Sequence, residues 1–124
     1  EWEYAARGGH PVQSYLYAGS DLIATVARYD GNAGNLYPVG SLAPNSIGTY
    51  DMSGNAWEFT WDWNDDYPES NLENPTGPES GVMRVLRGGG YASTASYCRL
   101  DYRYPRPPYT TAITHTIRLV TSGN

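Results

Sequence analysis

Residues 50–63 hold the densest mixture of carboxylates and tryptophans in the chain. Three of the four tryptophans lie there, together with three acidic residues: Asp51, Trp57, Glu58, Trp61, Asp62 and Trp63. Because tryptophan is costly to expose, we expect the three indoles to anchor the core. A carboxylate held beside such a core needs a positive partner, which is either an arginine or a hard cation such as Ca²⁺. The stretch therefore predicts a packed, loop-rich domain with a built-in ion site.

The other side chains that could do metal or nucleophilic chemistry are few and scattered. Cys98 is the one cysteine, which excludes an internal disulfide and any mechanism that needs two thiols from this chain. A lone cysteine in an apolar setting is more often a core residue than a nucleophile, so we expect Cys98 to be buried. His10 and His115 have no partner at metal-ligand or catalytic-dyad spacing, so we expect them to be solvated or to cap a turn.

Size and composition favour a loop-rich fold and argue against several partners. The 124 residues are enough for one domain, at 1–124, and too few for two. The 14 glycines, 9 prolines and 12 tyrosines, against one phenylalanine, argue against a helical bundle. A net charge of −5 argues against nucleic acid as a partner, since phosphate binding needs a basic face. No apolar run is long enough to span a membrane.

The patterns of apolar residues predict short elements joined by long loops. We expect a helix that ends near Arg7, an extended piece at 12–17, one or two helical turns within 21–29, and strands at 37–40, 56–63, 82–87, 97–103 and 115–120. The clean alternation in 82–87 and 97–103 is typical of core strands. Residues 64–81 are rich in proline and glycine and predict a long loop. The carboxylates between 58 and 79 are expected to be solvated, with a second ion site as the alternative.

Several motifs, in this order along the chain, resemble those of one family. They are residues 1–9 (EWEYAARGG), 50–58 (YDMSGNAWE), 74–81 (NPTGPESG), 84–89 (RVLRGG) and 118–120 (RLV). As a set they resemble the sulfatase-modifying-factor family, also called the formylglycine-generating-enzyme family. The resemblance implies an α+β, loop-rich variant of the C-type lectin fold.

The resemblance also implies a structural calcium ion on the 51–58 loop. Its ligands would be side-chain oxygens of Asp51 and Glu58 and carbonyl oxygens of Gly54 and Ala56, a set of hard oxygens that suits Ca²⁺. In the alternative, Asp51 caps a turn and Glu58 pairs with an arginine. The family's second calcium site falls on Arg28, which cannot be a ligand.

Catalysis is not expected to carry over from the family. Its generating enzymes bind copper with two cysteines five residues apart, and these positions are Ser93 and Cys98 here. Copper(I) prefers paired soft thiolates, so we do not expect copper in this chain. A formylglycine-generating-type oxidoreductase, or an accessory subunit of one, remains the alternative to a binding module.

The stretch over 91–115 is the predicted ligand-binding face. The sequence resembles the non-catalytic variable proteins of diversity-generating retroelements, in which this segment is hypermutated and binds ligand. Tyrosines mixed with serine and threonine are typical of binding surfaces. The predicted contacts are Tyr91, Ser93, Thr94, Ser96, Tyr102, Tyr104, Arg106, Tyr109, Thr111, Thr114 and His115. The ligand would be a protein or carbohydrate, met outside the cell or at its surface; the alternative is that these tyrosines pack the core.

The family module normally begins before the segment that matches residue 1. Its first strand and first helix have no counterpart here, and in C-type lectin folds the first and last strands pair. We therefore expect the strand near Ile117 to lack its usual neighbour, which would invite another chain. The chain would then be a fragment, a natural short variant, or an assembly subunit completed by a strand from another chain.

Overall fold

The computed structural model describes residues 1–10, 15–66 and 77–120. The predicted extended piece at 12–17 and the predicted loop at 64–81 therefore lie partly outside the described residues. No helix in the described ranges has the length and apolar character that crossing a membrane requires.

Short elements separated by long connections make up the fold, which confirms the predicted α+β, loop-rich class. The elements are α1 (Trp2–Ala6), α2 (Ile23–Val26), β1 (Ala27–Arg28), β2 (Ser53–Gly54), β3 (Trp57–Trp63), β4 (Arg84–Arg87), a 3₁₀ helix (Ala95–Cys98), β5 (Tyr104–Arg106) and β6 (His115–Ile117). The helix predicted to end near Arg7 and the strands predicted at 56–63 and 82–87 are thereby confirmed.

The main sheet has four strands in the order β5-β4-β3-β6. β3 and β4 are antiparallel and place Glu58 opposite Arg87, while β4 and β5 are antiparallel as well. β1 and β2 form a separate parallel pair. The two central strands lie within stretches that the sequence predicts as strands, 56–63 and 82–87.

The last strand, β6, has a neighbour in the described sheet. It runs parallel to β3, with Trp57 opposite His115 and Phe59 opposite Ile117. It is shorter than the predicted 115–120, and Leu119 beyond it is 86% exposed. Its outer side is an edge among the described residues, as the sequence predicts.

The strand predicted at 97–103 is wrong, because its backbone carbonyls bind a side chain instead of another strand. Arg87 is buried and donates to the carbonyl oxygens of Leu100 (2.8 Å) and Tyr102 (2.9 Å). The segment begins as the 3₁₀ helix and continues as turns. The alternation that suggested a strand reflects the burial of Cys98 and Leu100 on one side of an irregular chain.

The strand predicted at 37–40 is wrong for a similar reason. The Asn55 side chain takes the place of a neighbouring strand at Tyr37: its Oδ1 accepts from the Tyr37 N–H (3.0 Å) and its Nδ2 donates to the Tyr37 carbonyl (3.1 Å). Asp51 then accepts the N–H of Gly40 at 2.7 Å. Side chains of the 51–58 loop thus hold residues 37–40 in place without the backbone hydrogen bonds of a β-sheet.

The tryptophans of β3 divide between core and surface. Trp57 is buried, as predicted, but the prediction that Trp61 anchors the core is wrong, because Trp61 is 83% exposed. β3 continues past the core through a register shift between Phe59 and Trp63. There the Arg84 guanidinium stacks 3.5 Å from the Trp63 ring and 4.5 Å from the Trp61 ring. Cation–π stacking therefore takes the place of burial for Trp61 and adds to the partial burial of Trp63.

We expect Gly54→Ala to disrupt the fold far more than Gly48→Ala. Both glycines have left-handed backbone, with φ of +76° and +78°, so each substitution costs about 1–2 kcal/mol for conformation. A Cβ on Gly54 would also lie 2.7 Å from the Arg28 backbone nitrogen, whereas one on Gly48 meets no atom of the described residues within 4 Å. Urea unfolding of the two variants measures the difference.

Gly48→Ala is the matched control, since it carries the conformational cost without the clash. Equal losses of stability in the two variants would contradict the close approach of β2 to β1.

Candidate functional site

A cleft of about 420 Å³ opens on one side of the main sheet. We call it the Trp57 cleft, and its lining consists of Trp57, Gly90, Ala92, Ser93, Tyr97, Tyr104, Arg106, Thr110, Ala112, Thr114 and His115. These residues come from β3, β5, the start of β6, and the segments that follow β4 and precede β6. The cleft therefore lies where the β4–β5 and β5–β6 connections meet the sheet.

Aromatic rings form one wall of the cleft around the Trp57 indole. The ring centroids of Trp57 and Tyr104 lie 5.0 Å apart, and those of Trp57 and Tyr97 lie 6.2 Å apart. Tyr102 supports this wall from outside the lining, with its ring edge-on to Tyr97 at 4.8 Å. Burial raises the pKa of the Tyr102 phenol above its usual value, and the neighbouring phenols Tyr97 and Tyr104 add to the effect. The Tyr102 phenol that supports the wall is consequently neutral at physiological pH.

The opposite wall is held by backbone hydrogen bonds in the 90–93 turn. The Ser93 hydroxyl accepts the N–H of Gly90 at 2.9 Å, and the Ser93 N–H donates to the Gly90 carbonyl at 2.9 Å. Gly90 has to be small, because a Cβ there would lie 3.2 Å from Cδ1 of Trp57. The turn is thereby pressed against the indole, and its Ala92 and Ser93 line the cleft.

The third wall is the segment that leads into β6. The Trp57 N–H donates to the Thr114 carbonyl at 2.7 Å, and the His115 N–H donates to the Ala112 carbonyl at 3.0 Å. The His115 ring packs edge-on against Phe59, with centroids 5.7 Å apart. Because β6 pairs with β3, the position of this wall depends on the pairing of those two strands.

Two nitrogen atoms in the cleft lining are buried and unpaired. Within the described part of the chain, neither Nε of Arg106 nor Nδ1 of His115 has a hydrogen-bond partner. Arg106 stacks over the Tyr104 ring at 4.4 Å, and its Nη2 donates to the Tyr104 hydroxyl. Arg106 carries the one formal charge in the lining, which contains no carboxylate. The cleft is therefore locally positive in an acidic protein.

Part of the predicted ligand face lines this cleft, namely Ser93, Tyr104, Arg106, Thr114 and His115. The rest lies outside the lining, namely Tyr91, Thr94, Ser96, Tyr102, Tyr109 and Thr111. Of the lining residues that the prediction omitted, Trp57 was assigned only to the core, and Tyr97 to a core strand. Thr110 shares the composition that selected its neighbours, and composition alone could have included it.

Behind the cleft, Glu58 forms a buried ion pair with Arg118. Glu58 is 5% exposed, and its Oε1 accepts from Nη2 of Arg118 at 2.6 Å while its Oε2 accepts from Nε at 2.9 Å. Oε2 also accepts the indole N–H of Trp2 at 2.6 Å. Nη2 of Arg118 donates in addition to the Tyr50 carbonyl at 2.9 Å. Arg118 is thus the positive partner that the sequence requires for a carboxylate beside the tryptophan core.

The predicted calcium ligands do not all fit a cation in this arrangement. Both oxygens of Glu58 already accept two hydrogen bonds each, which uses the capacity of a carboxylate. Asp51 has one oxygen on the Gly40 N–H, and no group of three acidic, histidine or cysteine side chains gathers among the described residues. A cation that used Glu58 would have to displace Arg118. Calcium on Asp51, Gly54, Ala56 and Glu58 therefore stays a prediction from the resemblance.

Cys98 is a core residue, as predicted. It is 0% exposed and packs with Tyr17 and Val26 in a buried cluster. Burial raises the pKa of the thiol to about 12, and the Asp30 carboxylate contributes in the same direction. The group is therefore a protonated thiol at neutral pH, whereas metal ligation and nucleophilic attack use the thiolate.

Comparison with known proteins identifies relatives over most of the chain. The family model for the "Sulfatase-modifying factor enzyme 1-like domain" matches residues 1–122. The chain is 34% identical over 120 residues to chaperone protein LppX of Paenibacillus barcinonensis, covering 82% of this chain and 40% of LppX. It is 38% identical over 116 residues to the formylglycine-generating enzyme of Streptomyces coelicolor, covering 79% of this chain and 36% of that enzyme. The chain thus spans well under half the length of these relatives.

Solved structures show the same fold. Treponema denticola variable protein 1 superposes with a TM-score of 0.87 at 33% identity, over 94% of this chain and 43% of that protein. PvdO from Pseudomonas aeruginosa superposes with a TM-score of 0.77 at 25% identity, over 94% of this chain and 48% of that protein. The predicted fold, the C-type lectin-like variant of this family, is confirmed.

We expect Arg118→Met to destabilise the protein by about 2 kcal/mol, because it leaves the Glu58 carboxylate buried without its counter-charge. Removing one partner of a fully buried pair costs roughly 3–5 kcal/mol, and Arg118 is partly exposed, so the smaller value applies. Urea unfolding measures the loss. The control is Arg99→Met, which breaks the exposed pair with Asp101 and is expected to change stability little.

The same measurement in EDTA tests the calcium prediction. With Arg118 on Glu58, chelation is expected to leave the unfolding midpoint of the wild type unchanged. A lower midpoint in EDTA, restored by added Ca²⁺, would contradict that arrangement and support the calcium site.

Proposed function

The chain belongs to the sulfatase-modifying factor family, and we propose that it is a non-catalytic ligand-binding module whose ligand occupies the Trp57 cleft. One observation carries this proposal. All residues that line the cleft, except Trp57 and Gly90, come from the 91–115 segment. Trp57 and Gly90 belong to the scaffold, and the remaining lining is supplied by the segment whose composition is typical of a binding surface.

The similarity to the Treponema denticola variable protein supports this proposal. In a protein of that kind, a fixed frame carries a segment that changes from copy to copy. Here β3 and β4 would be the fixed frame. Changes within 91–115 would alter most of the cleft lining and leave Trp57 and Gly90 unchanged. The ligand would be a protein or carbohydrate, and the module would act outside the cell or at its surface.

The chemistry of Cys98 argues against the alternative of a formylglycine-generating oxidoreductase. The thiol is fully buried with a pKa of about 12, and the Ser93 hydroxyl at the other copper position accepts a backbone N–H. Copper(I) needs exposed, paired thiolates. An accessory role beside such an enzyme is compatible with the proposed binding function, since it requires recognition alone.

Exposed apolar residues at the sheet edge favour assembly as a second candidate function. Ile117, Leu119 and Val120 are exposed on and beyond β6. An edge strand with apolar side chains is a site for pairing with a strand of another chain. Sedimentation at rising protein concentration tests this candidate: a constant monomer mass would argue against self-assembly through this edge.

The binding proposal is tested by selecting ligands and then altering the cleft. We expect peptides enriched by display panning on the wild type to bind Tyr104→Ala and Tyr97→Ala at least about tenfold more weakly, since aromatic anchors dominate binding energy at interfaces. Tyr4→Ala is the matched control, because Tyr4 is an exposed tyrosine on α1, outside the cleft lining. Titration calorimetry measures the affinities, and circular dichroism checks that each variant folds.

If the enriched peptides bind Tyr104→Ala and Tyr97→Ala as tightly as they bind the wild type and the Tyr4→Ala control, the Trp57 cleft is not the binding site. Turnover of a cysteine-containing sulfatase peptide with copper and oxygen would contradict the non-catalytic part of the proposal.

A further inference from the structure

We infer that the ligand of the Trp57 cleft carries a carboxylate, which Arg106 and His115 bind, and an apolar or aromatic body, which lies on the aromatic wall. This inference rests on the proposed function and adds the chemical class of the ligand. It starts from the two buried nitrogen atoms that the described fold leaves without a partner.

Arg106 is placed to receive an anion. Its guanidinium carbon lies over the Tyr104 ring, 4.4 Å from the centroid, and Nη2 donates to the Tyr104 hydroxyl, so two contacts hold the group in place. Nε lies on the same edge of the guanidinium as Nη2 and has no partner in the described chain. That edge presents two parallel N–H donors, which is the geometry that a carboxylate matches with its two oxygens.

His115 supplies the second donor. Its backbone is fixed by pairing with Trp57 on β3, and its ring is fixed edge-on against Phe59 at 5.7 Å. Nδ1 is buried and has no partner among the described residues, although a buried polar atom without a hydrogen bond costs free energy. A carboxylate oxygen would accept a hydrogen bond from Nδ1 in the Nδ1–H neutral tautomer or in the protonated ring.

The charge of the lining selects an anion over a cation or a neutral group. Arg106 is its one formal charge and no carboxylate lines the cleft, so a cationic ligand would meet repulsion with no counter-charge. Among the described residues, Arg106 makes no ion pair, and neither does Arg28 or Arg84. Arg106 differs from those two because it lines the cleft and its Nε is buried without a hydrogen-bond partner in that part of the chain.

The shape of the cleft limits the rest of the ligand. Its 420 Å³ lies in the lower part of the range of small-ligand sites, about 300–1,000 Å³. The rings of Trp57, Tyr97 and Tyr104 offer stacking surface on one wall. A single planar acid with an aromatic or apolar body fills such a space, as does the terminal residue of a peptide with its free carboxylate.

Matched acids and amides test the inference directly. The probes are acetate, phenylacetate and 3-phenylpropionate, each with its primary amide, titrated into the wild type, Arg106→Gln and Arg99→Gln while the nuclear magnetic resonance of the indole N–H groups is followed. We expect the aromatic acids to bind about tenfold tighter than their amides, the value of one charge-assisted hydrogen bond. Arg106→Gln should abolish this preference, and Arg99→Gln, which alters an exposed arginine outside the cleft, should keep it.

The outcomes separate this inference from the proposed function. Equal binding of acids and amides overturns the carboxylate assignment and leaves the cleft as a binding site. Binding of inorganic phosphate in preference to every acid, lost in Arg106→Gln, also overturns it in favour of a phosphate ligand. Binding of no probe, combined with panned peptides that ignore the cleft variants, overturns both. If Arg106→Gln does not fold, Arg106→Lys keeps the charge but removes Nε and the planar fork, and it should reduce the acid preference.

Discussion

The buried ion pair between Glu58 and Arg118 is the interaction on which the architecture depends. Glu58 lies on a central strand where water is excluded, so its charge has to be matched within the protein. Arg118 follows directly after β6, and its contact with Glu58 and Tyr50 holds the last strand on the sheet. The need to neutralise the buried Glu58 carboxylate thereby fixes the position of β6.

A second buried charge completes this arrangement on the neighbouring strand. Arg87 stands opposite Glu58 in the β3–β4 register, and α1 reaches both, with Trp2 on Glu58 and Glu3 on Arg87. Arg87 also holds the carbonyl groups of Leu100 and Tyr102, so it sets the course of the segment that leads to β5. Two of the three walls of the Trp57 cleft, the aromatic wall and the segment that leads into β6, are thus positioned by two neighbouring charges in the centre of the sheet.

The parts of the fold that follow from local pattern were predictable, and those set by side-chain contacts at long range were not. Alternation located β3 and β4, which pair with each other in the main sheet. It failed over 97–103, because nothing local reveals that Arg87 binds those carbonyls. Trp61 was assigned to the core because of its residue type. In the structure it lies at the surface, where the Arg84 guanidinium stacks on its ring.

The candidate site was predicted in the same uneven way. The resemblance to variable proteins, with composition in support, selected 91–115 as the candidate binding segment, and the cleft draws most of its lining from there. Composition could not say which of those residues face one another, because Tyr91 and Tyr109 belong to the same pattern as Tyr104 and lie outside the lining. Trp57 was missed as a site residue because a buried tryptophan was assigned to the core alone, although Trp57 also lines the cleft. The sequence did require a positive partner for Glu58, without showing that it is Arg118.

Native-state hydrogen exchange tests the central claim, that the Glu58–Arg118 pair holds β6 against β3 and keeps the Trp57 cleft formed in the absence of ligand. The amide of Trp57 donates to Thr114 and that of His115 to Ala112, so both report on the β6 wall. The account predicts slow exchange of both amides in the wild type. In Arg118→Met it predicts faster exchange at these two sites, by at least about tenfold more than the increase at Leu86 in β4, since Leu86 reports the global loss of stability and local opening of β6 adds to it. Equal protection of Trp57 and His115 in the two proteins, or fast exchange at both sites already in the wild type, would contradict it.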